Sequence, residues 1–257
     1  MPLTIGVPTE TVHGERRLCV VPDVVKRYLG LGAQLLIQSG AGQPAHLRDE
    51  MFGDVRFAAK SEEVYSTADV VLCVQPPSVE LIATMKPGSV LLGMLQPWSD
   101  ATRAQQLMDK QITSFALELL PRITRSQSMD ALSSQAAVAG YECALIAADH
   151  CPKFFPMLTY AAGTIRPAKV LVIGAGVAGL QAIATARRIG AMVEAYDVRA
   201  ETREQIESLG AKFVDTGVSA EGTGGYAREL TDEEKAKQAE RLAKGGFKSK
   251  CNKNSMH

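Results

Sequence analysis

Short apolar runs separated by longer amphipathic stretches characterise the first half of the chain. The runs are LTIGV, AQLLIQ, DVVLCV, SVLLGML and TSFALELL, at residues 3–7, 33–38, 69–74, 89–95 and 113–120. Such runs are typical of strands buried on both faces of a parallel sheet. Between them, residues 22–32 begin with proline and end with glycine, and Ser99 or Asp100 can cap a second helix. The pattern therefore predicts a βαβ series over roughly residues 1–125.

A second pattern of the same kind starts near Ala168. Its predicted strands are KVLVI, AMVEAYD and KFV, and they alternate with helices that end at Gly190 and Gly210. Before it, residues 128–150 run for about six turns without proline and predict a long helix. Residues 153–168 contain proline and glycine and predict a loop. A polar helix with Thr231 as its N-cap is the last element predicted.

These elements predict an α/β fold in which a long helix joins two Rossmann-like parallel-sheet lobes. The predicted N-terminal lobe covers 1–127, the linking helix 128–150, and the first half of a dinucleotide-binding domain 168–242. A complete domain of that kind has two mononucleotide-binding halves. The second lobe is therefore predicted to be incomplete, with an open apolar edge that favours dimerisation or aggregation.

Residues 243–257 break the pattern. The stretch KGGFKSKCNKNSMH, which begins at Lys244, contains four lysines and few apolar side chains, so the sequence predicts a disordered basic tail. The abrupt change suggests a shifted reading frame, an aberrant splice or a pseudogene fragment.

Composition narrows the class of function. The chain has 28 basic and 28 acidic residues, and zero net charge argues against nucleic acid as a partner. The five cysteines show neither a C-x-x-C pair nor a zinc-binding spacing, so no metal is predicted. No signal-peptide pattern opens the chain, and no apolar run approaches the roughly 20 residues of a membrane helix. The sequence predicts a soluble protein.

The stretch KVLVIGAGVAGLQ, residues 169–181, predicts a phosphate-binding turn between a strand and a helix. Gly174 permits the tight turn, Gly176 lets a pyrophosphate approach the backbone, and Gly179 lets the helix pack on the strand. The helix that begins near Val177 directs its positive end at the anion.

Asp197 lies at the end of the next strand, 18 residues after Gly179. A carboxylate there can accept hydrogen bonds from both ribose hydroxyls of adenosine and repel a 2′-phosphate, which favours NAD over NADP. Val198 and Arg199 complete the predicted cofactor site, although an arginine so close could also accommodate a 2′-phosphate. The alternative is that Asp197 caps the helix that follows.

Candidates for acid–base catalysis are few. His13 and His46 lie beside glycines in predicted loops and remain possible. One polar cluster follows a predicted strand: PRITRSQSMD, residues 121–130, which contains Arg122, Gln127 and Asp130. The alternative for this cluster is a solvated loop in which the aspartate caps the long helix.

Several motifs together resemble one family. They are PRITRSQSMDALSSQ, AAGTIRPAKVLVIGAGVAGLQAIATARRIGA, AYDVRAETREQIESLGAKF, the opening IGVPTETVHGERRLCVVPDVV, and SGAGQ at 39–43. They resemble the NAD(H)-binding domain of the α subunit of proton-translocating NAD(P) transhydrogenase, over residues 3 to about 242.

The resemblance implies that the loop of Arg122, Gln127 and Asp130 clasps the nicotinamide end of NADH. It also assigns Ser133 to the cofactor site, and Tyr226 to a Gly-Tyr-Ala loop that closes over the nucleotide, unless that tyrosine is an ordinary loop aromatic. Hydride would pass directly to NADP⁺ on a separate domain, so no protein acid or base is required.

The partners implied are a second copy of the chain and the NADP(H)-binding and membrane-spanning transhydrogenase subunits. The chain would be peripheral, at the cytoplasmic or matrix face of the inner membrane.

Alanine dehydrogenase, the nearest relative of this family, is the main alternative. Arg17 matches its substrate-carboxylate arginine, but its catalytic lysine and histidine positions fall on Gln75 and Gln96. Glutamine cannot act as an acid or base at neutral pH. A third interpretation is an inert nucleotide-binding fragment or interaction protein.

Overall fold

The computed structural model describes residues 2–220 and 228–244. The chain forms two compact units that divide between Leu132 and Ser133, five residues beyond the predicted end of the first lobe. Because the long helix falls almost wholly on one side of this division, it is described below with the second unit.

The first unit contains a six-stranded parallel sheet. Its strands are β1 Thr4–Val7, β2 Gln34–Gln38, β3 Arg56–Ala58, β4 Val70–Leu72, β5 Val90–Gly93 and β6 Thr113–Ala116. The spatial order β3-β2-β1-β4-β5-β6 reverses direction at β1. This is the doubly wound order, in which side chains beyond the carboxyl ends of β1 and β4 meet.

Four α-helices connect these strands: α1 Pro22–Gly30, α2 Ser61–Thr67, α3 Val79–Thr84 and α4 Ala101–Asp109. Asp100, rather than Ser99, caps α4, because its Oδ1 accepts from the backbone N–H of Thr102 at 3.0 Å. The Ser99 hydroxyl donates instead to the carbonyl of Gln96 at 2.8 Å.

The second unit is built on a three-stranded parallel sheet of order β11-β10-β9. Its elements are α5 Ala131–His150, β9 Lys169–Ile173, α6 Val177–Arg188, β10 Met192–Tyr196, α7 Thr202–Ser208, β11 Lys212–Phe213 and α8 Asp232–Lys244. The predicted α/β fold with two Rossmann-like parallel sheets and a long helix is confirmed.

Three predictions of local structure were wrong. The long helix begins at Ala131, not at 128, because Thr124–Met129 forms a 3-10 helix. The strand predicted to reach residue 120 ends at Ala116. The predicted loop at 153–168 contains an antiparallel hairpin, β7 Leu158–Tyr160 and β8 Gly163–Ile165, whose mostly exposed side chains give no apolar run.

Small residues bring α5 against the start of α6. A Cβ atom on Gly140 of α5 would lie only 2.0 Å from the carbonyl oxygen of Ala178. The same face continues to the buried Ala144, which belongs to the apolar cluster of Ile183, Val193 and their neighbours. A glycine is therefore required where the two helices meet.

Two features of the described residues bear on the remaining elements. The predicted Thr231 cap of α8 is confirmed, because its hydroxyl accepts from Glu234 N–H at 3.3 Å while the Glu234 carboxylate accepts from Thr231 N–H at 2.9 Å. Within the described ranges, no helix combines the length and apolar character needed to cross a membrane.

Candidate functional site

The turn after β9 joins the ends of two neighbouring strands. Ile173, the last residue of β9, pairs with Tyr196, the last residue of β10. Gly174 has a φ of +94°, a conformation that favours glycine, and its N–H donates to the carbonyl of Tyr196 at 2.8 Å. The chain then enters α6, with Gly176 as its N-cap.

The other two glycines of the turn are needed for different reasons. A Cβ on Gly179 would lie 1.8 Å from the carbonyl oxygen of Gly174, so this glycine lets the helix approach the turn. A Cβ on Gly176 would meet no protein atom within 4 Å. The space above Gly176 is thus open to a ligand, and this is the cradle that a pyrophosphate needs.

The amino end of α6 is suited to an anion. Gly176, the N-cap residue of α6, has no side chain that could accept from the amides of the first turn. The backbone N–H groups of the first turn, beginning at Val177, therefore point outward from the start of the helix. They carry the partial positive charge of the helix dipole. The predicted start of the helix at Val177 is confirmed.

Asp197 connects this turn to the next strand. Its side chain is only 6% exposed. Oδ2 accepts from the backbone N–H of Ala175 at 2.7 Å, inside the glycine turn. Arg199 donates to the same carboxylate from its backbone N–H and from its guanidinium, each at 2.9 Å. The carboxylate thus has one backbone partner in the turn and a cation beside it.

These contacts set the charge of Asp197. Burial raises its pKa, but the hydrogen bonds from Arg199 and Ala175 outweigh burial, and the pKa lies below the ordinary value. The alternative that Asp197 caps the following helix is wrong. The N-cap of α7 is Glu201, and no side chain bonds to that cap within the described chain.

A recess of about 170 Å³ adjoins Asp197. Val198, Phe213 and Val218 supply apolar walls, and the Arg203 guanidinium lies 5.2 Å from the centre of the Phe213 ring. The carbonyl of Val198 accepts from Ala220 N–H at 2.9 Å, which holds this stretch of chain beside the end of β10. Arg203, Asp215 and Ser219 also line this recess, so apolar and polar groups both face it.

The polar cluster of residues 121–130 lies in the first unit. Arg122 and Gln127 are exposed and Asp130 is half-buried, with Gln127 in the 3-10 helix. Ser133 is half-buried in the first turn of α5. Tyr226 lies outside the described residues.

A second polar cluster follows β1 and β4 in the first unit, and sequence reasoning missed its two carboxylates, Glu10 and Glu15. Glu10 accepts from the backbone N–H groups of Val74 at 2.5 Å and Gln75 at 3.0 Å, and burial raises the pKa of Glu10. Glu15 pairs with Arg17, which is the main cause that lowers the pKa of Glu15 to about 2. The Gln75 amide donates to Glu15 Oε2 at 2.9 Å.

The remaining candidates occupy loops of the first unit. Gln96 has a φ of +45°, and its backbone N–H donates to the Glu118 carboxylate. His46 Nε2 accepts from Arg16 at 3.2 Å, and both side chains are exposed. His13 is exposed in a turn.

Fold and site together define a Rossmann-type α/β protein with a turn suited to a dinucleotide. The chain belongs to the alanine dehydrogenase/PNT family. Its residues 6–139 match the family's N-terminal domain, and residues 143–245 match its C-terminal domain.

The relatives include transhydrogenases. An NAD(P) transhydrogenase alpha-subunit polypeptide of Rhodospirillum rubrum is 44% identical over 253 residues, covering 94% of this chain and 66% of that protein. The crystal structure of transhydrogenase from Sinorhizobium meliloti is 38% identical with a TM-score of 0.83, covering 94% and 66%. The structure of L-alanine dehydrogenase shares the fold, with 22% identity and a TM-score of 0.71. That match covers 84% of this chain and 62% of the alanine dehydrogenase chain.

These matches confirm the resemblance to transhydrogenase. The chain spans about two thirds of the length of the relatives that it matches.

Replacing Asp197 with asparagine should destabilise the second unit at neutral pH by about 2 kcal/mol, because Arg199 loses a buried charged acceptor. The pKa of Asp197 lies below the ordinary 3.8 in the folded state, so its stabilisation is present above that value and lost as pH falls below it. We expect the gap between the urea midpoints of wild type and variant to be widest near pH 7 and to close in acid.

Asp149→Asn is the matched control, because the Asp149 side chain is 85% exposed. It should change the free energy of unfolding at pH 7 by less than about 0.5 kcal/mol. A gap for Asp197→Asn that stays constant with pH would contradict the assignment of an ionised, paired carboxylate.

Proposed function

We propose that this chain binds NAD(H) and is the hydride-donating component of a proton-translocating NAD(P) transhydrogenase. When bound, NADH supplies the hydride, which NADP⁺ on a separate domain receives. The observation that carries the proposal is the Gly174 turn, where an open cradle at Gly176 lies beside the buried carboxylate of Asp197. Relatives named as transhydrogenases support the same assignment.

The adenosine half would occupy the second unit. The amides at the start of α6 would hold the pyrophosphate, and Asp197 would accept the ribose hydroxyls. Val198 lies at the recess beside this carboxylate. A 2′-phosphate would meet a buried negative charge there, so we infer a preference for NAD(H) over NADP(H).

The nicotinamide half would be held by the loop at 121–130. Gln127 would position the nicotinamide and its ribose, while Arg122 and Asp130 hold the loop and the carboxamide, with Ser133 at the same site. No residue has to donate or accept a proton, because hydride passes between two nicotinamide rings. The chain's own contribution is approach and orientation of the rings.

Two further partners belong to this proposal. An NADP(H)-binding domain would receive the hydride, and a membrane-spanning subunit would couple the reaction to proton movement. The chain would then sit at the cytoplasmic or matrix face of the inner membrane as a peripheral component.

An alanine dehydrogenase-like activity is the second candidate, supported by the family itself. The first unit disfavours it. Arg17 is paired with Glu15, so its charge is already compensated, and Gln75 donates an amide hydrogen to the same carboxylate. Neither Gln75 nor Gln96 can transfer a proton at neutral pH. The third candidate, an inert nucleotide-binding fragment, is decided by whether bound NADH transfers hydride.

We also propose that a second copy of the chain covers α5. Beyond Ser133, Ser134 and Gln135 in its first turns, this helix is mostly apolar, with Glu142 the single charged residue before Asp149. Only Gly140 and Ala144 are buried within the chain, whereas Val138, Tyr141 and Ile146 are exposed. A helix that is apolar all round is normally buried. A two-fold axis would let the same face cover itself.

Titration of the purified chain with NADH, followed by nicotinamide fluorescence, tests the main proposal. We expect saturable binding of NADH and at least tenfold weaker binding of NADPH. Gly176→Val should abolish NADH binding, because its side chain fills the cradle. The fold should survive with a loss of only about 1 kcal/mol, since a Cβ at Gly176 meets no protein atom.

Gly30→Val is the matched control for this titration. A Cβ at Gly30 also meets no protein atom, but Gly30 ends α1 in the first unit, so the change should leave NADH affinity unaltered. Undiminished NADH affinity in Gly176→Val would refute the phosphate-binding turn.

Gln127→Asn should separate positioning from binding. The shorter side chain misplaces the amide at the reacting end, so hydride transfer should slow at least tenfold while NADH affinity changes less than threefold. Single-turnover transfer of deuterium from 4-deuterated NADH to NADP⁺ on an isolated NADP(H)-binding transhydrogenase domain, followed by mass spectrometry, measures the transfer rate, because NADH and NADPH absorb alike. Equal losses in rate and affinity would instead indicate a structural role for Gln127.

Val138→Glu should convert a dimer into a monomer, because it places a charge on the apolar face of α5. Sedimentation equilibrium measures the change. Leu31→Glu, at an apolar residue 83% exposed in the first unit, is the control and should leave the dimer intact. If Val138→Glu and wild type have the same mass, another surface pairs the copies or the chain is monomeric.

A further inference from the structure

The acceptor positions of the Asp197 carboxylate are fully occupied. Oδ1 accepts from the backbone N–H and from Nε of Arg199, each at 2.9 Å. Oδ2 accepts from Ala175 N–H at 2.7 Å and from Nη2 of Arg199 at 2.9 Å. An ionised carboxylate offers about four lone-pair positions, and these four bonds use all of them.

A ribose that binds here needs two of those positions. In the proposed function, both adenosine hydroxyls donate to this carboxylate, so two present donors must leave. The two backbone amides cannot leave without unfolding the turn at Ala175 or the chain at Arg199. The two guanidinium bonds come from one side chain, which can rotate away as a unit.

We propose that Arg199 is a displaceable counter-ion of the nucleotide site. In the free protein its guanidinium holds the positions that the ribose hydroxyls take in the complex, and nucleotide binding displaces it. The inference rests on the proposed function, and it adds that Arg199 lowers the affinity for NADH.

Burial explains why such a counter-ion is present. A carboxylate that is 6% exposed is costly to leave without a cation or donors. The Arg199 side chain is 22% exposed, so one side of it already faces solvent. It can move outward without crossing the core of the unit. Once the ribose hydroxyls bind Asp197, the carboxylate again has four donors.

The opposite role is that Arg199 stays in place and contacts the nucleotide directly. In that case its removal weakens binding, whereas removal of a displaceable counter-ion strengthens binding. The sign of the change therefore separates the two roles.

The experiment compares NADH titrations of wild type, Arg199→Met, Arg199→Lys and Arg188→Met. Arg199→Met keeps the length of the side chain and removes the guanidinium, so NADH should bind about fivefold to tenfold more tightly. Arg199→Lys cannot form the paired bonds and should give an intermediate gain. Arg188→Met alters an exposed arginine at the end of α6 and should bind like wild type.

Two further ligands test whether the gain in affinity of Arg199→Met depends on the ribose hydroxyls. ADP should gain affinity in Arg199→Met as NADH does, and 2′-deoxy-ADP, which lacks one hydroxyl, should gain less. A general loosening of the unit would change both probes equally and would overturn the inference. Circular dichroism and thermal unfolding establish that each variant is folded. If Arg199→Met does not fold, Arg199→Lys gives the same test in the same direction.

The outcomes separate this inference from the proposed function. Wild type that binds NADH, with equal or weaker binding in folded Arg199→Met or Arg199→Lys, overturns the counter-ion role and leaves the proposed function standing. Binding by Arg199→Met but not by wild type supports both. Absence of NADH binding in every folded variant overturns both together.

Discussion

The negative charge of a buried carboxylate must be balanced by hydrogen-bond donors or a cation beside it. In the second unit of this chain, that carboxylate is Asp197. Its partner in the glycine turn is the Ala175 amide, one residue beyond the bond from Gly174 to Tyr196. Two adjacent bonds thus fasten the end of β9 to the end of β10. The direction in which α6 leaves the turn follows from that attachment. The Asp197 carboxylate consequently links the pairing of β9 with β10, the conformation of the glycine turn and the direction of the amides at the start of α6.

The approach of helices to this turn depends on the absence of side-chain atoms. Gly179 lets α6 lie against the carbonyl of Gly174, and Gly140 lets α5 lie against Ala178 in the first turn of α6. Gly176 differs, because nothing in the protein presses on it. Packing therefore explains Gly179 and Gly140, whereas packing does not explain Gly176. That difference makes the turn a candidate binding site and not only a close-packed corner.

Much of this arrangement could be predicted from the sequence, because buried parallel strands are written as apolar runs. The sequence did not predict β3 or the hairpin of β7 and β8, because each of these strands is three residues long and largely exposed. The phosphate turn followed from glycine spacing. The ion pair of Arg199 with Asp197 could not be predicted, because a side chain two residues away can point in many directions. Glu10 and Glu15 were missed because their partners, Val74 and Gln75, are about 60 residues away in the chain and are brought close only by the β1–β4 pairing.

The polar cluster of Glu10, Glu15, Arg17 and Gln75 in the first unit bears on which hydride reaction the chain could support. In the first unit, the Glu15 carboxylate pairs with Arg17 and accepts from the Gln75 amide, so its charge is compensated in place. A dehydrogenase that oxidises an amine or alcohol must move a proton with each hydride. Exchange of hydride between two nicotinamides has no such requirement. A cluster that contains glutamines is therefore compatible with the direct exchange of hydride in the proposed function.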